Sequence, residues 1–356
     1  MHLEDGKVPE GYTRYTGRKL AVNLGGVALL FALLVVSISV GSVPIPLKDV
    51  LSTLLGFGDS SRWSIIVLNI RLPQALAAVA AGAGLSVSGA AMQSILRNPL
   101  GSPFTLGISN AAAFGAAFSV MVLGTGVMHS TGADALSVTK PYMTTISAFA
   151  ACVFTALIIL AVARIRRSSP EVMVLTGVAL GALFSAGTMF LQYFADDVQL
   201  AAIVFWTFGD LGRASWRELA IISAVTAASS VYFIFNRWNY NAIDAGEETA
   251  KGLGVPVERK RLAGMLVASM VTATIISFVG VIGFVGLVCP HIVRRILGDD
   301  HRYLVPGSMI AGGIVLLAAD TVARTVLAPR VLPVAVLTAF VGAPVFIFLL
   351  VRGYRR

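Results

Sequence analysis

The chain has 356 residues, of which 56% are hydrophobic and 13% charged, with a mean hydropathy of +0.83 and a net charge of +9. Soluble domains carry about a quarter charged residues, so this composition excludes an ordinary soluble protein. The positive net charge is not concentrated in a basic soluble domain, and this excludes a typical nucleic-acid-binding protein.

Long uncharged runs predict an all-α, polytopic membrane protein. A helix needs about 20 apolar residues to cross a bilayer, and it satisfies its own backbone hydrogen bonds there. The run at 262–293 is too long for one helix and contains three glycines and a proline in its second half, so we divide it into two spans. About ten transmembrane helices result, at 20–41, 69–92, 103–123, 142–164, 172–194, 217–235, 262–282, 285–298, 303–325 and 333–352.

The spans form one transmembrane domain, 20–356, preceded by a tail at 1–19. An even number of spans places both termini on one side of the membrane. If that side is the cytoplasm, 19 of the 27 Lys and Arg residues lie inside and 8 outside, as the positive-inside rule requires. We therefore predict that the tail, the C-terminus and the polar loop at 236–261 are all cytoplasmic.

The second span ends in the polar stretch "RNPLGSP" at 97–103. Proline disfavours a helical conformation in the residue before it, and Ser102 is predicted to cap the next helix. A short cytoplasmic turn explains this stretch. It explains less well the polar residues of "GISN" at 107–110, which fall early in the next span. Broken helices at membrane depth are tolerated where they line protein or a watery cavity, so a translocation path is the alternative interpretation for Asn98, Pro99, Ser109 and Asn110.

Small residues recur at helical spacing in two spans. Such rows let helix backbones approach closely in lipid, so they predict a compact bundle and not a binding site. The rows are Ala78, Gly82, Ser86 and Ala90 in the second span, and Gly177, Gly181 and Ser185 in the fifth.

The segment 195–218 contains a short apolar run, 198–209, flanked by charged residues. The run is too short to cross a bilayer, and it predicts a re-entrant or interfacial helix. Its flanking charges suit docking by charge complementarity. The segment is therefore suited to lie at the outer mouth of the bundle, and an interfacial helix with no gating role is the alternative interpretation.

Asp320 and Arg324 are spaced to meet on one face of the ninth span. Intramembrane charge is a functional candidate by default, but this self-compensating pair at a helix end is predicted to be a structural ion pair. Arg294 and Arg295 are predicted to reach the inner interface by snorkelling. Two isolated cysteines and four scattered histidines give no metal framework.

The chain resembles the FecCD family of ABC transporter permeases, which import iron-siderophores, haem and cobalamin. The resemblance rests on "RLPQALAAVAAGAGLSVSGAAMQSILRNPLGSPFTLGISNAAAFGA" (71–116), "FVGLVCPHIVRRILGDDHRYLVPGSMIAGGIVLLAADTVAR" (284–324) and "LPVAVLTAFVGAPVFIFLL" (332–350). It implies a type II ABC importer permease fold in the cytoplasmic (inner) membrane of a prokaryote. It also implies four kinds of partner: the lipid bilayer, a second permease subunit in a homodimer, two cytoplasmic ABC ATPase subunits and an extracytoplasmic substrate-binding protein.

The resemblance also implies where the sites lie. The loop 236–261 matches the family's coupling helix, and "DAGEETAKGLGV" within it has the pattern of a short helix with Asp244 as its cap. An ordinary solvated loop helix is the alternative interpretation. The implied residues are Glu247, Ala250, Gly252, Leu253 and Gly254 for coupling to the ATPase, Phe205, Trp206 and Gly209 for the outer gate, and Pro290, His291 and Arg294 for a signature span near the ATPase.

The chain lacks the sequence of a nucleotide-binding loop. That pattern requires G-K-[ST] after a glycine-rich stretch, and the only Gly-Lys pair, Gly6-Lys7, is followed by Val8. We therefore predict a transport subunit that is not an enzyme and binds no cofactor or metal, with ATP used by its partner.

The predicted cargo is a metal chelate, with an iron(III)-siderophore first and haem or cobalamin next. The alternative function is an ion-coupled secondary transporter of a small polar solute. Such a protein needs buried carboxylates along its path, and only Asp320 qualifies, with an arginine as its partner.

Overall fold

A computed structural model describes residues 10–41, 43–57, 61–125, 141–166, 169–328 and 330–353. Within these ranges the chain forms α-helices and their connections, and it forms no strand. A π-helical turn, Ile66–Arg71, and a 3₁₀ turn, Leu211–Arg213, interrupt the α-helices. The helices are α1 Glu10–Ser39, α2 Leu47–Leu54, α3 Ser61–Ile65, α4 Leu72–Ile95, α5 Ile108–Val122, α6 Pro141–Ile165, α7 Pro170–Tyr193, α8 Asp197–Thr207, α9 Trp216–Phe235, α10 Arg237–Asp244, α11 Glu247–Gly252, α12 Val257–Val279, α13 Val285–Leu297, α14 His301–Thr325 and α15 Val334–Gly353.

Seven helices of the described ranges are long and apolar enough to cross a membrane. They contain α1, α3 with α4, α6, α7, α9, α12 and α14. The shorter helices α5, α13 and α15 occupy the three remaining predicted spans. The prediction of an all-α, polytopic protein is confirmed, and the run at 198–209 forms the short helix α8.

Two predicted boundaries differ from the structure. The predicted tail at 1–19 is helical from Glu10, where α1 begins, and its first nine residues lie outside the described part of the chain. α5 begins at Ile108, and its N-cap is Gly107 with a φ of 76°, so Ser102 does not cap it. Ser102 and Thr105 instead exchange hydrogen bonds of 3.0 and 3.2 Å between the backbone N–H of each and the hydroxyl of the other.

α4 is the centre of the bundle, with 20 of its 24 residues buried. It packs against α14, α12, α9 and α13. A Cβ added to Gly82 would lie 2.2 Å from the carbonyl oxygen of Gly312 in α14, and one added to Gly89 would lie 1.6 Å from that of Gly286 in α13. Gly82 belongs to the predicted small-residue row, which is therefore confirmed as a packing surface, and Gly89 outside the row makes a second approach that only glycine permits.

The remaining helices surround this centre. α5, α6 and α7 pack on one another, and α6 joins them to the centre through α12. α1 packs against α14, and α15 packs against α13 and α14. α7 and α15 leave many large apolar side chains exposed, among them Leu175, Leu183, Phe190, Phe340 and Ile347.

The predicted break between the seventh and eighth spans is present. α12 ends at Val279, Gly280 has a φ of 79°, and α13 begins after Phe284, which has a φ of 65°. Backbone of the segment after α8 packs on this break, since the Asp210 N–H donates to the Val279 carbonyl at 2.7 Å. We name the two ends of the bundle by their short helices: the α8 end holds this break, and the α11 end holds α10 and α11.

Candidate coupling and translocation sites

The predicted coupling helix is α11, at the turn between α10 and α12. It begins after Gly246, whose φ of 126° favours glycine, and it carries Glu247 and Glu248 in its first turn and Lys251 in its last. This order of charges complements the helix dipole. The expected short helix is present, but Asp244 does not cap it, because Asp244 is the last residue of α10.

The residues predicted to contact an ATPase differ in exposure. Leu253 is 69% exposed, and a Cβ on Gly252 or Gly254 would meet nothing within 4 Å. Ala250 is fully buried in the core cluster that includes Tyr240. The Ala250 side chain therefore anchors α11 to the bundle, and its part in the contact with an ATPase stays a prediction.

Glu247 ties α11 to the centre of the bundle. Its carboxylate accepts a hydrogen bond of 3.1 Å from Arg261 Nη2, and Arg261 Nε donates to the Ile95 carbonyl at 3.1 Å. Arg261 is 1% exposed, and the hydrogen bond from it holds the pKa of Glu247 below its ordinary value although burial opposes this. The first turn of α11 is thus linked through one buried cation to the C-terminus of α4.

Asp244 lies where four helices meet. Its Oδ2 accepts from Ser94 Oγ at 2.9 Å, His301 Nε2 at 3.0 Å and Arg294 Nη1 at 3.4 Å. Burial raises the pKa of Asp244, but the hydrogen bond from His301 and the charges of His301 and Arg294 outweigh burial and leave the pKa below its ordinary value. Sequence reasoning missed this role because the partners of Asp244 are fifty or more residues away in the sequence.

Arg294 does not snorkel as predicted, because it is held by polar side chains. It is 18% exposed and donates to Ser94, Asp244 and Asp299 at distances of 2.9–3.4 Å. Of the other two signature-span residues, Pro290 is buried inside α13 and His291 is half-buried, with its ring 6.3 Å from that of Phe346 in α15. Arg294 therefore contacts polar side chains near Asp244, whereas His291 lies beside α15.

The stretch after α4 is a polar turn at the α11 end. Arg97 has a φ of 47°, and the Asn98 carboxamide oxygen accepts from the Leu100 N–H at 2.9 Å. A cavity of about 650 Å³ opens beside this turn. Its lining brings Asn98 and Pro99 together with the Asp244 region: Gln93, Arg97, Asn98, Pro99, Asn241, Asp244, Ala245, Arg294, Asp299 and Asp300.

Ser109 and Asn110 lie apart from this cavity, in the first turn of α5. The Ser109 hydroxyl is buried and has no hydrogen-bond partner. Asn110 is exposed, and its Nδ2 donates to the Gly181 carbonyl of α7 at 3.1 Å. Asn110 is thus the polar side chain of this pair that faces open space beside α7.

The predicted outer gate residues lie at the C-terminus of α8. Phe205 is 57% exposed and Trp206 is 6% exposed. Gly209 has a φ of 68°, and a Cβ there would lie 2.5 Å from the Val281 carbonyl oxygen. Arg213 Nη2 donates to the Phe205 carbonyl at 2.8 Å, which ties the end of α8 to the segment that packs on the break between α12 and α13.

The predicted ion pair is present in α14. Arg324 Nε donates to Asp320 Oδ2 at 2.9 Å, and Gln74 Nε2 donates to Asp320 Oδ1 at 2.9 Å. Arg324 also donates to the Ser37 hydroxyl at 2.8 Å. Arg71 extends this group by donating to the Ile38 carbonyl at 2.7 Å. No cluster of potential metal ligands is found in the described ranges.

Comparisons of sequence and of structure both find similarity to permeases and transporters of the ABC type. The model of the FecCD transport family matches residues 29–352. A solved structure described as an inward-facing conformation of a metal-chelate type ABC transporter superposes with a TM-score of 0.79 at 28% identity, covering 93% of this chain and 99% of the other.

Three relatives extend the similarity. MJ0087 of Methanocaldococcus jannaschii, described as an ABC transporter permease protein, is 50% identical over 98% of this chain and 99% of its own. The hemin transport system permease HmuU of Yersinia pestis is 36% identical over 83% of this chain and 85% of its own. The Fe(3+)-citrate import system permease YfmE of Bacillus subtilis is 33% identical over 95% of this chain and 97% of its own.

Proposed function

This chain belongs to the FecCD transport family, and we propose that it is the membrane permease of an ATP-driven importer that carries a bulky metal chelate, with an iron(III)-siderophore as the first candidate. The single observation that carries the proposal is the family match over nearly the whole chain. The relatives HmuU and YfmE are named for hemin and Fe(3+)-citrate, two different iron chelates. Iron(III)-siderophores, haem and cobalamin all fall within the proposed class of bulky metal chelates.

The geometry of α11 supports coupling to a cytoplasmic ATPase. Leu253 and the glycines beside it are exposed, whereas Glu247 and Ala250 tie the helix to the bundle. A short helix with one exposed apolar side chain and a fixed base suits insertion into a cleft of another protein. In this proposal the α11 end and both termini face the cytoplasm, and two ATPase subunits supply the energy.

A second copy of the chain is placed against α7 and α15. These helices expose large apolar side chains, and the polar carboxamide of Asn110 lies beside α7. Between two copies, this arrangement provides an apolar contact next to a path with scattered polar groups. In this proposal α8 closes the outer mouth, where Phe205 faces outward and a substrate-binding protein docks.

The coupling assignment is tested by Gly254→Arg, with Gly254→Ala as the matched control. Both substitutions place a Cβ where φ is 79° and therefore share the backbone strain, but only arginine fills the open surface beside Leu253. We expect Gly254→Arg to reach the membrane in normal amounts and to lose at least tenfold of ATP-dependent uptake. Gly254→Ala should keep most of the uptake.

Two results would contradict the proposal. Unchanged uptake by Gly254→Arg would remove α11 as the coupling helix. Uptake driven by an ion gradient in vesicles that contain this chain without any ATPase would favour the ion-coupled secondary transporter. The cargo is then assigned by uptake assays with ferric siderophores, haem and cobalamin, each with its binding protein.

A further inference from the structure

Four polar side chains from four helices converge at the α11 end of the bundle. Ser94 lies in the last turn of α4, Asp244 ends α10, Arg294 lies in the last turn of α13 and His301 is the first residue of α14. We call this group the Asp244 joint. Within it, Asp244 of α10 contacts three bundle helices, α4, α13 and α14.

The joint is centred on one oxygen atom. Asp244 Oδ2 accepts from Ser94 Oγ, His301 Nε2 and Arg294 Nη1 at 2.9, 3.0 and 3.4 Å. Arg294 Nη2 also donates to Ser94 Oγ at 2.9 Å, which closes the ring of contacts. Because three donors share a single acceptor, a shift of Asp244 by one or two ångströms disturbs all three hydrogen bonds together.

Further contacts carry the joint into the neighbouring backbone. Arg294 Nε donates to Gln93 Oε1 at 3.3 Å, and Gln93 Nε2 donates to the Leu287 carbonyl at 3.1 Å. Asn241 of α10 accepts from the His301 N–H at 2.8 Å and donates to Asp300 at 3.1 Å. The joint therefore fixes the C-terminus of α4, the first turn of α13 and the start of α14 relative to α10.

The joint is enclosed on one side and open on the other. Ser94 and His301 are completely buried, whereas Asp244 and Arg294 keep about a fifth of their side-chain surface exposed and line the cavity of about 650 Å³. A buried ion pair contributes little net stability compared with well-packed apolar side chains. Because Asp244 and Arg294 border open space, their side chains have room to exchange hydrogen-bond partners. A contact that changes during a conformational change requires such an exchange.

We propose that the Asp244 joint transmits a displacement of α10 and α11 to α4, α13 and α14, with Asp244 acting as the positioning residue. The inference rests on the proposed function, in which α11 is moved by an ATPase. A displacement of α10 carries the carboxylate with it, and Ser94, Arg294 and His301 follow or exchange partners. The first turn of α13 then moves relative to the break at 280–284, on which the end of α8 packs.

The test compares Asp244→Asn with Asp299→Asn in proteoliposomes that contain the permease, its ATPase and its binding protein. Asparagine keeps the size of the side chain but removes the charge that three donors share. Asp299 is a matched control because its carboxylate contacts the same Arg294 at 3.0 Å but is 76% exposed. The quantity measured is the number of cargo molecules imported per ATP hydrolysed, together with the melting temperature and the amount of ATPase bound.

We expect Asp244→Asn to lower the import-to-hydrolysis ratio at least fivefold while ATPase binding and hydrolysis stay within twofold of wild type. Asp299→Asn should keep the ratio within twofold. A purely structural role would lower assembly and melting temperature but leave the ratio of the assembled fraction unchanged, and this result would overturn the inference. If Asp244→Asn does not assemble, Ser94→Ala is judged by the same criterion.

The same experiment separates the inference from the proposed function. ATP-dependent import by the wild type, with equal ratios for Asp244→Asn and Asp299→Asn, would overturn the joint alone. Import by the wild type that needs no ATPase would overturn the proposed function and the joint with it.

Discussion

The two ends of the bundle use the same kinds of side chain in opposite ways. At the α8 end, Asp320, Arg324 and Arg71, with Ser37 and Gln74, form a group that we call the arginine clamp. Its arginines donate to backbone carbonyls in the last turn of α1 and just after it, namely those of Ser37, Ile38, Ser39, Val40 and Val43.

At the α11 end, the Asp244 joint connects side chains to side chains. Ser94, Asp244, Arg294 and His301 come from four helices, and a cavity lies beside them. A carbonyl at a helix end moves only with its helix, whereas a side chain can rotate to a new partner. The clamp is therefore suited to hold α1, α4 and α14 together, and the joint is suited to change.

The largest expected effect is at the clamp. Arg324→Met leaves Asp320, which is 1% exposed, without its cationic partner. Removing one partner of a buried ion pair costs about 3–5 kcal/mol, so we expect the free energy of unfolding in detergent to fall by that amount. Arg330→Met is the control, since Arg330 is exposed and contributes no side-chain ion pair or hydrogen bond among the described contacts.

A double variant sharpens this prediction. Asp320→Asn combined with Arg324→Met removes both charges, and it should recover part of the stability that Arg324→Met loses. If Arg324→Met unfolds as wild type does, the clamp does not hold this end of the bundle, and the contrast between the two ends fails.

The clamp was partly predictable from sequence, and the joint was not. Asp320 and Arg324 are four residues apart on one helix, so their contact follows from helical spacing alone. The break near Gly280 was predictable for a similar reason, because glycine and proline act locally. The second arginine of the clamp, Arg71, was not predicted, since it contacts carbonyls about thirty residues away in sequence.

The errors have the same cause. Asp244 was predicted as a helix cap, a local role, but its partners lie 50, 57 and 150 residues away. Arg294 was predicted to snorkel, but the same distant carboxylate holds it. Ser102 was predicted to cap α5, but its turn with Thr105 and the positive φ of Gly107 delay the helix to Ile108. The resemblance to a family did not specify these side-chain contacts.

A matched pair of serine variants compares the two ends directly. Ser37 and Ser94 are both buried, and each accepts a hydrogen bond from an arginine Nη2, at 2.8 and 2.9 Å. We expect Ser37→Ala to lower the free energy of unfolding by about 1–2 kcal/mol and to leave the import-to-hydrolysis ratio unchanged. Ser94→Ala should cost about 1 kcal/mol, because Asp244 still pairs with Arg294 and His301, but it should lower the ratio.

Denaturant unfolding and coupled transport in proteoliposomes measure these two effects on the same samples. The opposite pattern, with transport affected by Ser37→Ala and not by Ser94→Ala, would exchange the roles of the clamp and the joint.

The smallest expected effect is the response of the α11 end to acid. Burial raises the pKa of Asp300, but hydrogen bonds from Arg302 and Asn241 outweigh it and lower the pKa from 3.8 to about 2. A carboxylate with a lowered pKa stabilises the folded state above its unfolded pKa, and that contribution is lost as the pH falls through the folded pKa. Asp300 therefore contributes its full stabilisation above about pH 4–5 and loses it towards about pH 2.

Because Asp300 is partly exposed, solvent screening limits its contribution to about 1 kcal/mol. The check is the difference in unfolding free energy between the wild type and Asp300→Asn, which keeps a helix-capping side chain. We expect this difference to shrink as the pH is lowered from about 5 to about 2.5. If this difference in unfolding free energy did not change with pH, the charge of Asp300 would not contribute to stability. The acid sensitivity of the α11 end would then have to come from another carboxylate, with Asp244 the first to examine.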